Sequence, residues 1–465
     1  MLLALAACAG APARPAAAAS AAPPTPSSSA LADSYREPAN RIIDAALADS
    51  SAFRRLAELT DRFGARFSGT PALEQAIDWA LAEMRRDGLA NVRGEPVMVP
   101  RWVRGEESAE LVSPRRQAMR MLGLGGSVGT PREGITAPVL VVSSFEELIA
   151  RSAEARGKIV VYDVPFTTYR ETVRYRSRGA IAAAQAGAVA SLLRSVTPYS
   201  MYTPHTGSMV YDSTAARIPH AAITVEDAQL LHRLQLNGQR PVVTLRMSAR
   251  TFPDVSSRNV VAELVGSERP EEIVVLGGHM DSWDVGQGAM DDGGGVVAAW
   301  EAVRLIQRLG LKPRRTIRVV LWTNEENGLR GGRAYRDAHA AELANHVLAI
   351  ESDGGVFAPI GFGVDGTDST LAVAGRVASL LDRIGSGRVE RGGGEADISP
   401  IVVLGVPGMG LRVDGTRYFW YHHTDADTMD KLDPREMALC VATMAVMAYV
   451  VADMPERLPR GVQTR

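Results

Sequence analysis

The stretch Glu271–Gly295, EEIVVLGGHMDSWDVGQGAMDDGGG, sets how the chain is read. Ile273 to Leu276 is an apolar, β-branched run of strand length that breaks at Gly277-Gly278 into a polar loop. Loops at the carboxyl ends of strands are where open α/β sheets place their chemistry. His279 and Asp281 are separated by one residue, so on an extended backbone both side chains point the same way and the carboxylate can orient the imidazole. Asp291 follows in Asp291-Asp292-Gly293-Gly294-Gly295, which leads into a helical run from Val296 to Leu309. Two such groups on strand-end loops suggest a metal, although alone they suit a solvated loop equally well.

Three acidic and histidine-rich segments further on change that balance. Thr323-Asn324-Glu325-Glu326-Asn327-Gly328 follows an apolar run ending at Trp322. Adjacent glutamates at a strand end point in different directions, so one can bind metal while the other moves protons. The run His346 to Glu351 delivers Ser352-Asp353-Gly354-Gly355, and Tyr421-His422-His423-Thr424-Asp425 sits before the last helix. His279, Asp291, Glu326, Asp353 and His423 together offer two imidazoles and three carboxylates. Two histidines, a bridging aspartate and one further acid per ion is what a pair of zinc ions needs. Buried acids without such a partner would each cost several kcal/mol in desolvation.

Around this centre the chain divides by texture. The predicted strands Val260–Leu264, Ile273–Leu276, Ile317–Trp322, His346–Glu351 and Ile401–Leu404 alternate with helices at 295–309, 330–340, 370–384 and 434–452. That alternation predicts an α/β/α sandwich on a mostly parallel mixed sheet. Helical patterns between Asp33 and Gly88, then a strand at 92–99, belong with it, so 31–99 and 251–465 form the predicted catalytic domain. From 100 to 250 short strands dominate and no ligand cluster occurs, which reads as an inserted accessory domain. His205 in that segment is a candidate substrate contact or an ordinary loop histidine.

The chain has 465 residues, room for two or three domains, and a net charge of -2 that points to no polyanion and no nucleic-acid partner. Residues 1–30 read as a targeting segment and an Ala/Pro/Ser linker, so export is expected. Leu5-Ala6-Ala7-Cys8 resembles a bacterial lipobox, with Cys8 the lipidated residue, though the run is short and lacks a basic start. Cys440 has no evident partner and no disulfide is expected.

GGHMDSWDVGQGAMDDGGG, LWTNEENG, ESDGG, GVPG and HHTDADTMDKLDP resemble the metallopeptidase family that contains the dizinc aminopeptidases and glutamate carboxypeptidases. RFSGT, TPHTGS and IPHAAITVEDA extend the likeness upstream, so that it covers about residues 35 to 455. The resemblance implies one zinc on His279 and Asp353, another on Glu326 and His423, and Asp291 bridging both. It makes Glu325 the general base, Asp281 the acid that orients His279, and the Asp291–Asp292 peptide bond cis. It assigns residues 100–250 to a protease-associated type of domain and suggests a homodimer.

Two departures stand out. His422 occupies the place of a Tyr that many relatives use to stabilise the oxyanion, and Glu395-Ala396-Asp397 replaces the usual Thr-Asp or Ser-Asp pair. The expected activity is hydrolysis of small peptides, dipeptides with free ends foremost, with an aminopeptidase on longer chains as the alternative. The alternative of another class is a non-catalytic receptor-like or glutaminyl cyclase-like relative of the fold; the five ligands with Glu325 argue against the receptor, and Asp291 with both partners argues for two metals over the cyclase's one.

Overall fold

A computed structural model describes residues 28–461 apart from 394. Of the expected targeting segment and linker, residues 1–27, with Cys8, lie outside the described residues. Ile273, Val274, Val275 and Leu276 are all at most 2% exposed, because the strand they belong to, Arg269–His279, is covered on both faces. Val274 and Leu276 join the larger core cluster while Ile273 and Val275 join a second cluster on the opposite face, as the two-residue side-chain period requires. Each such side chain contributes about 1.5–3 kcal/mol when fully buried.

Among the described residues two eight-stranded sheets are formed. The first runs, in spatial order, Ala90–Val103, Arg250–Leu264, Arg315–Trp322, Arg269–His279, His346–Glu351, Gly408–Val413, Pro359–Asp365 and Arg388–Arg391. Its centre is parallel: Arg269–His279 pairs in parallel with Arg315–Trp322 and with His346–Glu351, which pairs in parallel with Gly408–Val413. The flanking pairs 250–264 with 315–322 and 359–365 with 408–413 are antiparallel, which makes the sheet mixed. Gly294–Arg308 and Pro434–Asp453 pack on one face; Arg330–Ala338 packs on the other, giving the α/β/α sandwich. Pro434–Asp453 starts at a proline whose N-cap, Asp433, accepts the N–H groups of Arg435 and Glu436 at 2.7 and 3.1 Å.

One predicted strand is wrong. Ile401–Leu404 is not in the sheet: Ser399–Val402 is a short helix, and the strand beside His346–Glu351 is Gly408–Val413 instead. Pro400 at the helix start and Gly405 at a φ of +91° cut the apolar run on both sides, so it turns before it can pair.

The second sheet is built from strands between Glu107 and Met247, with core clusters of its own. The chain enters and leaves it through Ala90–Val103 and Arg250–Leu264, an antiparallel pair that runs from Ala90 opposite Glu263 to Val103 opposite Arg250 with register shifts after Ala90 and after Val99. Contacts tie it back near the strand ends of the first sheet. Arg104 holds Asp284, the Thr206 N–H donates to the His423 carbonyl at 3.0 Å, and Tyr169 stacks on Phe419 with ring centres 5.0 Å apart.

Candidate active site

Three adjacent parallel strands end at the same edge. They deliver His279, the Thr323–Glu326 turn and Asp353. The π-turn Ala289–Gly293 brings in Asp291 and the loop after Tyr418–Tyr421 brings in His422 and His423. Close approach here depends on glycine: a Cβ on Gly295 would collide with the Ser352 carbonyl oxygen. The Asp291–Asp292 peptide bond is cis.

Asp291 stands at the centre. Its Oδ1 lies 3.2 Å from His279 Nε2 and its Oδ2 lies 3.3 Å from His423 Nε2. His279 Nε2 is also 3.2 Å from Asp353 Oδ1, and His423 Nε2 is 3.1 Å from Glu326 Oε2. Two donors on one tetrahedral zinc, each about 2.0–2.1 Å from it, are about 3.3 Å apart, so each side of Asp291 has the spacing of a ligand set. Glu326 Oε1 is buried with no hydrogen-bond partner, as a carboxylate left for a cation would be. The donor set therefore fits divalent ions. Asp292 also lies near His279 and Asp353, but its two oxygens already accept the His279 and Gly295 N–H groups.

The charges respond to one another. Burial opposes protonation of His279, yet Asp353 and Asp291 outweigh it and hold the imidazole well above its usual range. Burial works to raise Asp291, but contacts with His279 and His423 hold it well below the ordinary carboxylate range. For Glu325 burial wins: together with the charges of Asp353, Asp281 and Asp291 it pushes the carboxyl up to about 8, against the pull of His279.

Asp281 behaves differently from its expected role. His279 Nδ1 donates to the backbone carbonyl of Asp281 at 2.9 Å, while the Asp281 carboxylate is 3.8 Å away. That carboxylate instead accepts the N–H groups of Glu325 and Glu326 at 3.1 and 3.3 Å. The carbonyl lies nearer the ring than the carboxylate does, and the side chain holds the neighbouring loop. His422 stacks on His423 with ring centres 3.5 Å apart and leaves its Nε2 3.7 Å from Asp291 Oδ2. His205 is buried, and its Nδ1 donates to the His422 carbonyl at 2.8 Å, so it fixes the histidine loop; it is not among the residues that line the cleft.

Several supporting residues carried no role in the sequence reading. Asp427 accepts the N–H groups of Met290 and Asp291 at 2.7 and 3.2 Å, and burial pushes it up to about 7. Arg66, fully buried, donates to the carbonyls of Met280, Gln287 and Gly288 and so ties the His279 and Asp291 loops together. Both lie inside the quoted motifs, whose spacing gave the only signal. Glu395 is bound to Arg412 at 3.2 Å, and both Asp397 carboxylate oxygens are buried without a partner. The centre opens into a cleft of about 490 Å³, lined by Asp291, Glu325, Glu326, Asp353, His422 and His423 and also by Tyr169, Arg176 and Ser208 from the second sheet's lobe.

The profile of Peptidase family M28 matches residues 259–462. Carboxypeptidase Q of Xenopus laevis is 50% identical over 430 residues, 92% of each chain. The chain belongs to peptidase family M28. This M28 chain is a carboxypeptidase Q-like metallopeptidase. A peptidase M28 precursor from Shewanella amazonensis superposes with a TM-score of 0.90 at 36% identity, covering 93% of this chain and 100% of that one. A zinc aminopeptidase from Bacillus subtilis shares the fold, with a TM-score of 0.66 at 21% identity over 88% of this chain and 96% of that one.

Proposed function

We propose that this protein is an exported dizinc exopeptidase that hydrolyses small peptides, dipeptides with free ends in particular. The observation that carries the reading is Asp291, whose two oxygens face two separate histidine–carboxylate pairs. In this reading His279 and Asp353 would hold one ion, Glu326 and His423 would hold the other, and Asp291 would serve both. The zinc aminopeptidase of the same fold supports zinc as the metal.

When bound, the two ions supply Lewis acidity for the scissile carbonyl and for the attacking water. The chain's own residues do the rest. Glu325 takes a proton from the water and later passes it to the leaving amine nitrogen. Asp281 fixes the backbone that carries Glu325 and Glu326. His422 donates an N–H to the oxygen on which negative charge develops. The lobe between about residues 100 and 250 walls the cleft and limits substrate length, with Tyr169 and Arg176 on that wall.

Export rests on the composition of residues 1–30, with Cys8 as a lipid anchor and a homodimer as further parts of the reading. The test is hydrolysis of free dipeptides and of longer peptides by the zinc-loaded chain. Dipeptide cleavage that stops on chelation and returns with zinc is expected; cleavage confined to long peptides favours the aminopeptidase alternative. Membrane fractionation of a Cys8→Ser variant and light scattering of the purified chain test the anchor and the dimer.

A further inference from the structure

The second sheet's lobe grips the segment from Phe419 to His423 at three points. Thr197 Oγ1 donates to the Phe419 carbonyl at 2.6 Å, His205 Nδ1 to the His422 carbonyl at 2.8 Å, and the Thr206 N–H to the His423 carbonyl at 3.0 Å. Thr206 also holds the His423 ring. Because Nε2 of that ring faces Asp291 and Glu326, Nδ1 is the nitrogen left to donate, and it lies 3.3 Å from the Thr206 carbonyl oxygen. Arg176 Nη1 lies 3.5 Å from the same oxygen. His423 has a φ of +61°, a left-handed conformation that a residue other than glycine keeps only where its surroundings fix it.

Thr206 is itself latched to the loop that runs from His279 to Asp291. Its hydroxyl donates to the Gly123 carbonyl at 2.8 Å and accepts from Arg104 Nη2 at 3.2 Å. Arg104 in turn grasps Asp284, through Nε at 2.9 Å and Nη2 at 2.5 Å. Trp283, beside Asp284, places its ring 5.5 Å from that of His423 and so near Gly125 of the lobe that a Cβ there would collide with it. The His279 side is built without the lobe. His279 Nδ1 donates to the Asp281 carbonyl of its own loop at 2.9 Å, and among the described residues no lobe residue hydrogen-bonds to His279 or Asp353.

We infer that Thr206 is a positioning residue for His423, so that the docked lobe sets the affinity for the cation at Glu326 and His423 and leaves the cation at His279 and Asp353 alone. The inference rests on the dizinc reading above. A carbonyl that takes the second ring N–H of a metal-ligating histidine fixes its tautomer and orientation, and losing such a partner typically weakens metal binding about 10–100-fold.

The experiment titrates the zinc-loaded full chain with a chelator. It compares wild type with Thr206→Val, which keeps the shape and loses the hydroxyl, and with Thr206→Ser, which keeps the hydroxyl. Thr206→Val is expected to weaken one zinc by about 10–100-fold and leave the other unchanged, and Thr206→Ser to recover most of the loss. In a His423→Ala background Thr206→Val is expected to change nothing, because the ion it acts on is already gone. Asp284→Asn, which loosens Arg104 from the catalytic side, should weaken the same ion and carries the test if Thr206→Val does not fold. Equal weakening of both zincs, no change in either, or an effect that persists without His423 overturns the inference. If wild type binds fewer than two zincs, the dizinc reading fails separately, and hydrogen exchange of the metal-free chain decides Thr206. Faster exchange at residues 422–424 in Thr206→Val upholds the positioning role; unchanged exchange there overturns it.

Discussion

The Asp281 carboxylate accepts the backbone N–H of Glu325 at 3.1 Å, and through this bond the His279 loop sets where the adjacent strand presents its two glutamates. Asp281→Ala should therefore leave His279 oriented, because the carbonyl that takes its Nδ1–H belongs to the backbone. Losing the carboxylate should cost about 10–100-fold in activity or metal affinity through the displaced 325–326 turn. Steady-state kinetics with zinc retention on dialysis checks this, and an unchanged kcat would refute it.

Glu325→Gln should keep the metals and the fold while losing about two to four orders of magnitude in turnover, since a proton acceptor goes and no ligand does. Parallel zinc analysis and kinetics separate the cases. Full activity, or loss of zinc, removes Glu325 from the role of base.

The paired histidines should part in behaviour. His423 faces both Asp291 and Glu326 at 3.1–3.3 Å, whereas His422 stays 3.7 Å from Asp291 and packs on its neighbour. His423→Ala should hold about one zinc per chain. His422→Ala should hold two and turn over more slowly, by up to about 3–4 kcal/mol of barrier for a lost oxyanion donor. The reverse pattern of metal contents would exchange the two assignments.

Stability of the metal-free protein should fall as pH rises from about 6.5 to about 8. Burial raises Asp427 to about 7 and Glu325 to about 8, so in this window the folded state keeps protons that unfolded carboxyls, with pKa near 4, have already lost. His279, also raised, loses stabilisation in the same direction. The buried histidines held low, such as His205 and His220, change stability only below about 6.5, where the unfolded rings become charged. Each retained proton costs about 1.4 kcal/mol per pH unit, on the order of several degrees in Tm for the whole cluster. Thermal scans of chelated protein should show the fall and zinc-loaded protein should not, because bound metal displaces those protons. A rising Tm in chelated protein over this window would contradict the assignment.

How much of this was legible in the sequence varies by residue. Ile273–Leu276 could be read because an uninterrupted β-branched run between breakers has few alternatives. Ile401–Leu404 misled because an apolar run of four fits a strand or a buried helical turn, and the true strand, Gly408–Val413, hides behind two glycines. The metal donors were legible as residue types at strand ends, but the split of roles between His422 and His423 came from resemblance. Arg66, Asp427 and Arg176 were opaque for another reason. The partners of Arg66 and Asp427 lie more than 100 residues away, and only the folded chain brings the Thr206 carbonyl to Arg176.

The central claim is that Asp291 joins two cation sites within one cleft. Zinc per chain, measured by elemental analysis after chelation, reloading and removal of free metal, tests it most directly. The account predicts two ions per wild-type chain and a loss of both tight sites in Asp291→Ala; one ion or none in wild type would contradict it.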